Sequence, residues 1–212
     1  MRVSETIHKL INQEMYSILM ADNLFLITLT ANTGVIMETI EELISALELA
    51  VPELDAQALR ENLPESDAQE DVLNWLYESL SAQGLMDYVE WTEYFGDIPD
   101  LKSLELISLP ESPSALILSQ VENIDWDEVS VDPYMLPYEL PYLEYINHFL
   151  TEKGLRLVDL TPFENAYILC IRDDEEIIEK LDGALNIFEM GINEREPMDR
   201  EETKDYIRSL IE

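Results

Sequence analysis

Carboxylates and aromatic side chains are concentrated between residues 121 and 145, where the chain reads VENIDWDEVSVDPYMLPYELPYLEY. The stretch contains seven acidic residues, four tyrosines and one tryptophan, but no Lys or Arg. Carboxylate oxygens are the ligands that Ca²⁺ and Mg²⁺ prefer. Carboxylates mixed with aromatic rings also suit the recognition of basic protein surfaces. Two kinds of chemistry therefore have to be weighed for this stretch, metal binding and the docking of a basic partner.

The densest carboxylates fit a metal site only in part. They are Glu122, Asp125, Asp127, Glu128 and Asp132. An EF-hand loop that starts at Asn123 would place Glu128 where the loop requires glycine, and Tyr134 where it requires a bidentate acid. We therefore expect no metal and no other cofactor. A metal-dependent hydrolase that uses the carboxylates of 122–132, around Asp125 and Asp127, stays as the alternative.

The docking interpretation uses the same stretch more fully. Carboxylates attract and pair with basic side chains, while aromatic faces accept cations and supply apolar contact area. The predicted partner-binding residues are Glu122, Asp125, Trp126, Asp127, Glu128, Asp132 and Tyr134. The remaining tyrosines, Tyr138, Tyr142 and Tyr145, have helical spacing, so packing in the core is an alternative for them.

The nucleophilic and acid–base residues carry no catalytic pattern. Cys170 lies within the apolar segment AYILCI, where a thiol usually behaves as a small buried hydrophobic group. The two histidines, His8 and His148, belong to no H-E-x-x-H or similar motif. The chain also lacks the glycine-rich nucleotide-binding motifs, and its one strand–turn–helix candidate, ANTG at 31–34, reads as a plain turn. We predict no catalytic residue.

The net charge is −34, from 46 acidic and 12 basic residues, and it is distributed unevenly. Between residues 10 and 152 the only basic side chains are Arg60 and Lys102, against 29 acids. A field of this sign repels nucleic acids and anionic membranes but attracts basic proteins. A merely solvated acidic surface stays open as an alternative, and so does mimicry of a nucleic acid by spaced carboxylates.

Cysteine use and the start of the chain bear on localisation. A single cysteine excludes an intrachain disulfide, which agrees with a reducing compartment. The first residues, MRVSETIHKLINQEMY, lack the basic start and apolar stretch of a signal peptide. The apolar run at 24–29 is far too short to cross a bilayer. We expect a cytoplasmic protein that contacts no membrane; its oligomeric state is left open.

Apolar periodicity and terminal signals define the elements that must position these residues. Predicted helices cover 4–21, 35–49, 55–63, 67–84 with Asp67 as cap, 141–153, a segment after the cap Asp173, and 199–211 with the cap Asp199. Predicted strands cover 23–30, 87–96, 114–121, 155–160 and 166–171, while 101–107 fits a strand or a helix. The mixed order, with a hairpin at 155–171, predicts an α+β fold with a mixed or antiparallel sheet and helices on one or both faces. We expect one domain over 1–212, with subdomains 1–98 and 114–212 as the alternative.

The segment 143–185 resembles the end of certain uncharacterised bacterial domains of unknown function. The residues that carry the resemblance are YINHFLTEKGLRLVDLTPFENAYILCIRDDEEIIEKLDGAL, in which a helix ending in Gly is followed by a hairpin and a second helix. Some acidic domains of similar layout look like immunity proteins that neutralise a toxin. The resemblance implies a bacterial α+β protein of this general class, and none of its motif is catalytic.

These observations together predict a non-enzymatic acidic protein that binds a basic protein partner, with inhibition or immunity as one form of that function. The prediction depends on the near absence of basic residues between 10 and 152.

Overall fold

The computed structural model describes residues 37–105, 107–122 and 135–211. Residues Glu42–Glu212 form one compact unit. The helix predicted at 4–21 and the strand predicted at 23–30 lie outside the described residues. The prediction of one domain over the whole chain stays a prediction, as does its alternative of two subdomains.

The described residues alternate helices with short strands. The helices are α1 (37–50), α2 (Ala56–Glu61), α3 (Gln69–Ser81), α4 (Pro113–Val121), α5 (Leu136–Glu139), α6 (Tyr142–Leu150), α7 (Glu175–Asn186) and α8 (Arg200–Ile211). The strands are β1 (Met86–Val89), β2 (Leu155–Thr161), β3 (Ala166–Arg172) and β4 (Gly191–Asn193). Short 3-10 helices cover Trp91–Glu93, Lys102–Leu104 and Thr151–Lys153.

The four strands form one antiparallel sheet in the order β1-β3-β2-β4. In the central hairpin Leu157 pairs with Cys170, and Val158 pairs with Leu169. Successive side chains of a strand point to opposite faces of the sheet. Since Leu157 and Val158 are both fully buried, both faces of the central strands are covered. The α+β fold and the antiparallel sheet predicted from the sequence are therefore confirmed.

One hydrophobic cluster joins a face of this sheet to the helices that follow β1. Leu157, Ile168 and Cys170 contribute from the strands, and Leu143 and Ile146 contribute from α6. The α6 helix ends as predicted: after the turn Thr151–Lys153, Gly154 takes a left-handed conformation with φ of 64°. This arrangement fixes α6 beside β2 and so positions the aromatic residues described below.

The strand predicted at 114–121 is wrong, because this segment is the helix α4. Ser112 caps the helix, and its hydroxyl accepts a hydrogen bond from the backbone N–H of Ala115 at 3.1 Å. Pro113 occupies the first turn, where its missing N–H costs nothing. A short apolar run has no clear periodicity, so the capping signal at Ser112 and Pro113 decided the structure.

The strand predicted at 87–96 is correct only in its first three residues. It ends at Val89, and Trp91–Glu93 then form a 3-10 turn whose Trp91 is buried, as is Tyr94 directly after it. The ambiguous segment 101–107 contains another such turn, Lys102–Leu104.

Two of the three predicted helix caps are displaced. The α3 helix is preceded by Ala68 rather than by Asp67, and α7 is capped by Asp174 rather than by Asp173. The third prediction is confirmed. The Asp199 carboxylate accepts hydrogen bonds from the backbone N–H groups of Glu201 and Glu202, and the Glu202 carboxylate accepts one from the N–H of Asp199.

Candidate partner-binding surface

Of the seven predicted partner-binding residues, Glu122 lies within the described residues. It is exposed and follows directly after α4. The remaining six, Asp125, Trp126, Asp127, Glu128, Asp132 and Tyr134, lie outside the described residues. Beyond them, Tyr142 and Tyr145 are buried and Tyr138 is partly buried, so packing accounts for these tyrosines.

The acidic side chains between residues 42 and 122 greatly exceed the local bases. This segment contains 18 acids against Arg60 and Lys102. Arg60 pairs with Glu48 at 3.6 Å, and Glu111 pairs with the distant Arg200 at 3.0 Å. Ion pairs are dense instead between residues 144 and 208, where Arg156 alone contacts three carboxylates. Among the described residues, the negative field is therefore least compensated on the segment before residue 123.

An apolar groove lies between this poorly compensated segment and residues 136–142. It encloses about 170 Å³ and lies between the Trp91–Glu93 turn, α4 and α5. Its lining residues are Thr92, Tyr94, Phe95, Leu118, Val121, Leu136, Pro137, Leu140 and Tyr142. Sites for small-molecule ligands usually enclose about 300–1,000 Å³, so the groove suits a single inserted side chain better than a whole ligand.

Tyr94 and Tyr142 line the groove, and the Trp91 ring packs against Tyr94. The ring centroids of Trp91 and Tyr94 are 5.7 Å apart, and those of Tyr94 and Tyr142 are 5.4 Å apart, both in edge-to-face geometry. The Tyr94 hydroxyl donates a hydrogen bond to the carbonyl oxygen of Asp97 at 2.7 Å. Burial raises the pKa of Tyr94, and it raises the pKa of Tyr142 to about 12. Both phenols therefore stay protonated near neutral pH, and their role is packing rather than proton transfer.

Phe95 stands at the mouth of the groove on a tightly held backbone. The next residue, Gly96, has φ of 80°, and a Cβ placed there would overlap Cδ1 of Tyr142. The Ser114 hydroxyl donates a hydrogen bond to the carbonyl oxygen of Phe95. With its backbone fixed from both sides, Phe95 nevertheless leaves 57% of its surface exposed. Sequence reasoning missed this residue, because an exposed phenylalanine leaves no periodic signal.

More exposed apolar side chains adjoin the groove. Ile98 lines a neighbouring cavity together with Gly96, Asp97 and Ser114, whose hydroxyl donates to the Phe95 carbonyl oxygen. The large hydrophobic residues exposed in this region are Phe95, Ile98, Leu118 and Met135. A cluster of exposed apolar residues with polar surroundings is typical of an interaction site.

Exposed carboxylates follow the lining residues in sequence. Glu93, Asp97, Glu122 and Glu139 are all exposed, and each is adjacent in sequence to a residue that lines the groove or the neighbouring cavity. No Lys or Arg occurs among the described residues that line these two cavities. The groove, together with Phe95 and the exposed acids around it, is called the acidic groove below.

Gly96 gives a direct test of this geometry. We expect Gly96→Ala to lower the free energy of unfolding by about 2 kcal/mol or more, because the methyl group would overlap Tyr142 and the positive φ would be strained. Urea denaturation monitored by tryptophan fluorescence measures the change. Gly154→Ala is the control: its φ is also positive, at 64°, but no atom lies within 4 Å of the added Cβ. Equal losses in the two variants would contradict the close contact at Gly96.

A buried charge cluster is linked to the groove through Trp91, whose ring packs against Tyr94. Nε of Arg195 lies 2.6 Å from the carboxylate of Asp159, and its Nη1 lies 3.1 Å from that of Glu144. The Arg195 guanidinium also lies over the Trp91 ring, 4.8 Å from its centroid. Burial raises the pKa of Glu144 and of Asp159, while Arg195 opposes this rise in both. The cluster ties α6, β2 and Trp91 together.

Asn147 joins the same region through the backbone. Its side-chain amide donates hydrogen bonds to the carbonyl oxygens of Leu157 and Arg195, at 2.8 and 2.7 Å, and its carbonyl accepts one from the N–H of Leu157 at 2.6 Å. The residue is fully buried. The sequence did not predict the contacts of Asn147 or of Arg195, because they join residues that are far apart in the chain. Asn147 and Arg195, for example, are separated by 48 positions.

Cys170 and His148 are the cysteine and the histidine that lie within the described residues. Cys170 is buried, and desolvation raises the pKa of its thiol. His148 is exposed on α6 beside Phe149. Among the described residues there is no group of three or more His, Cys, Asp or Glu side chains placed to hold a metal ion.

In the described part of the chain, none of the helices combines the length and the apolar character that a membrane span requires.

Comparisons of the chain with protein-family models, with curated proteins and with solved structures found no match, so the acidic groove is assigned from its own geometry alone.

Proposed function

We propose that this protein is a non-enzymatic binding protein that engages a basic protein partner. Inhibition of that partner, as an immunity-type protein would achieve, is one form that this function would take. The observation that carries the proposal is the excess of 18 acids over two bases between residues 42 and 122.

Electrostatics decide which partners suit such a surface. At physiological ionic strength the Debye length is about 8 Å, so a single exposed charge acts only over a short range. Many like charges on one segment nevertheless sum to a field that speeds association with a basic surface. The same field disfavours nucleic acids and anionic membranes as direct partners.

Neither Tyr94 nor Cys170 is suited to act as a general base or a nucleophile. The pKa values of Tyr94 and Cys170 are raised, so the phenol and the thiol keep their protons near neutral pH. A catalytic base or nucleophile would instead need a pKa close to the working pH, or below it for a thiol.

A matched pair of charge variants tests the proposal. We expect the triple variant Glu93→Gln, Asp97→Asn, Glu122→Gln to bind a fluorescein-labelled peptide rich in Lys and Arg about five- to tenfold more weakly than the wild type, because each lost charge costs roughly 0.3–0.5 kcal/mol. The change is measured by fluorescence anisotropy at low salt. The control variant Glu175→Gln, Glu176→Gln, Glu179→Gln removes the same number of exposed charges on α7.

The two variants separate a local binding surface from overall acidity. If the α7 variant changes the peptide affinity only weakly while the first triple variant lowers it strongly, the result supports a binding surface located before residue 123. Equal effects would mean that the peptide responds only to net charge, and the proposed binding surface would then be wrong.

A further inference from the structure

We propose that the acidic groove is an anchor site for one large apolar side chain of the basic partner, flanked on the partner by Lys or Arg. This inference rests on the proposed function and adds to it the location of the site and the chemistry that it recognises.

The size and lining of the groove indicate that its occupant is a single apolar side chain. About 170 Å³ of space is lined by apolar and aromatic groups, and Thr92 is the only hydroxyl residue besides the tyrosines among the described residues that line it. Transfer of an apolar side chain out of water into such a lining is favourable in proportion to the area buried. The groove is too small for a folded element, so an inserted leucine, methionine or phenylalanine side chain is the occupant that fits.

The held backbone and exposed ring of Phe95 indicate that this residue contacts the partner. Its backbone is held by the tight fit of Gly96 against Tyr142 and by the hydroxyl of Ser114, yet the ring remains mostly exposed. Because the backbone is already held, this segment loses less conformational entropy when a partner covers the ring. Such preorganised aromatic residues are typical centres of protein interfaces.

The surrounding charge decides the kind of partner. Glu93 and Asp97 are exposed and lie two positions before and after Phe95, while the exposed Glu122 and Glu139 are adjacent in sequence to the lining residues Val121 and Leu140. A second copy of this chain would bring another −34 charges, and nucleic acids or anionic membranes would also add negative charge. The occupant that fits both the apolar lining and the exposed acids is therefore an apolar side chain with basic neighbours.

Two labelled peptides of equal charge test the inference on the full-length protein. Both are rich in Lys and Arg; one has leucines at its centre, and the other has serines at the same positions. We expect the wild type to bind the leucine peptide about tenfold more tightly than the serine peptide, because the groove buries the leucine side chain. We expect Phe95→Ser to reduce this ratio to about onefold, because the leucine peptide then loses its apolar contact with the ring.

Ile187→Ser is the matched control, because Ile187 is 49% exposed but does not line the groove. This variant should keep the wild-type ratio. Nuclear magnetic resonance should show that the leucine peptide shifts the signals of Phe95 and Leu118.

The other possible outcomes contradict either the anchor site or the proposed function. If wild-type protein binds both peptides equally, the anchor site is wrong while the proposed function stands. If it binds neither peptide at low salt, the proposed function itself fails. If sedimentation shows a dimer that Phe95→Ser dissociates, or if Phe95 in the free protein gives nuclear Overhauser contacts to residues 123–134, the groove has another occupant and the inference is overturned.

Discussion

Arg195→Met is expected to lower the free energy of unfolding by about 3–5 kcal/mol, which is the usual cost of removing one partner from a buried ion pair. Arg195 has 11% of its side-chain surface exposed and lies within hydrogen-bonding distance of Asp159 and Glu144, which are similarly buried. The substitution leaves both carboxylates desolvated without a countercharge, and it removes the cation from the Trp91 ring. Urea denaturation at neutral pH measures the loss.

The combined variant Arg195→Met, Glu144→Gln, Asp159→Asn is the control for this result. Because neutral amides replace the unpaired charges, we expect it to recover a large part of the lost stability. If the combined variant is as unstable as Arg195→Met, the loss comes from packing and hydrogen bonds rather than from unpaired charge, and the assigned role of the ion pairs is wrong.

The pH dependence of Arg195→Met has a definite sign. Burial raises the folded-state pKa values of Glu144 and Asp159 already in the wild type, although Arg195 opposes the rise. Loss of the guanidinium raises them further. A carboxyl whose pKa is higher in the folded state binds protons more tightly there, so its contribution favours folding at low pH and is lost as pH rises from the unfolded pKa of about 4 through the folded value. We therefore expect the difference from wild type to shrink on acidification from neutral pH towards pH of about 5.

Asn147→Leu is expected to cost about 3–5 kcal/mol, since it leaves several buried backbone groups without a hydrogen-bonding partner. The carbonyl oxygens of Leu157 and Arg195 lose their donor, and the N–H of Leu157 loses its acceptor. Each unsatisfied buried group costs about 1–3 kcal/mol. Chemical denaturation measures the change.

Asn186→Leu provides the matched control on α7. Asn186 is exposed, and its amide donates to the side chain of Asp182. Its replacement should therefore change the unfolding free energy by less than about 1 kcal/mol. If Asn147→Leu lowers the unfolding free energy no more than Asn186→Leu does, the three hydrogen bonds of Asn147 do not determine the stability of this region.

Local sequence patterns predicted the elements that have strong periodicity. The α6 helix, the β2–β3 hairpin and the cap of α8 at Asp199 could be predicted, because apolar spacing, Gly154 and the reciprocal Asp199–Glu202 hydrogen bonds act within a few residues. The strand expected at 114–121 failed, because a short apolar run fits either a strand or a helix and the cap at Ser112 decided between them.

The features that build the candidate site depend on contacts between distant residues. Arg195 contacts Glu144 across 51 positions, and Ser114 contacts Phe95 across 19. Nothing in the spacing of these residues indicates such contacts. The sequence did locate the excess of acidic residues, because composition does not depend on folding, but it did not locate the groove that those acids adjoin.

The equilibrium affinity of the wild-type protein for the peptide rich in Lys and Arg, measured by calorimetry at two salt concentrations, is the decisive experiment for the proposed function. We expect clear binding at about 50 mM NaCl that weakens at least tenfold at about 500 mM, because salt shortens the Debye length. A peptide of the same length that is rich in Glu should not bind at either concentration. Absence of heat with the basic peptide at low salt, or binding that does not depend on salt, would show that the acidic surface does not recognise basic partners.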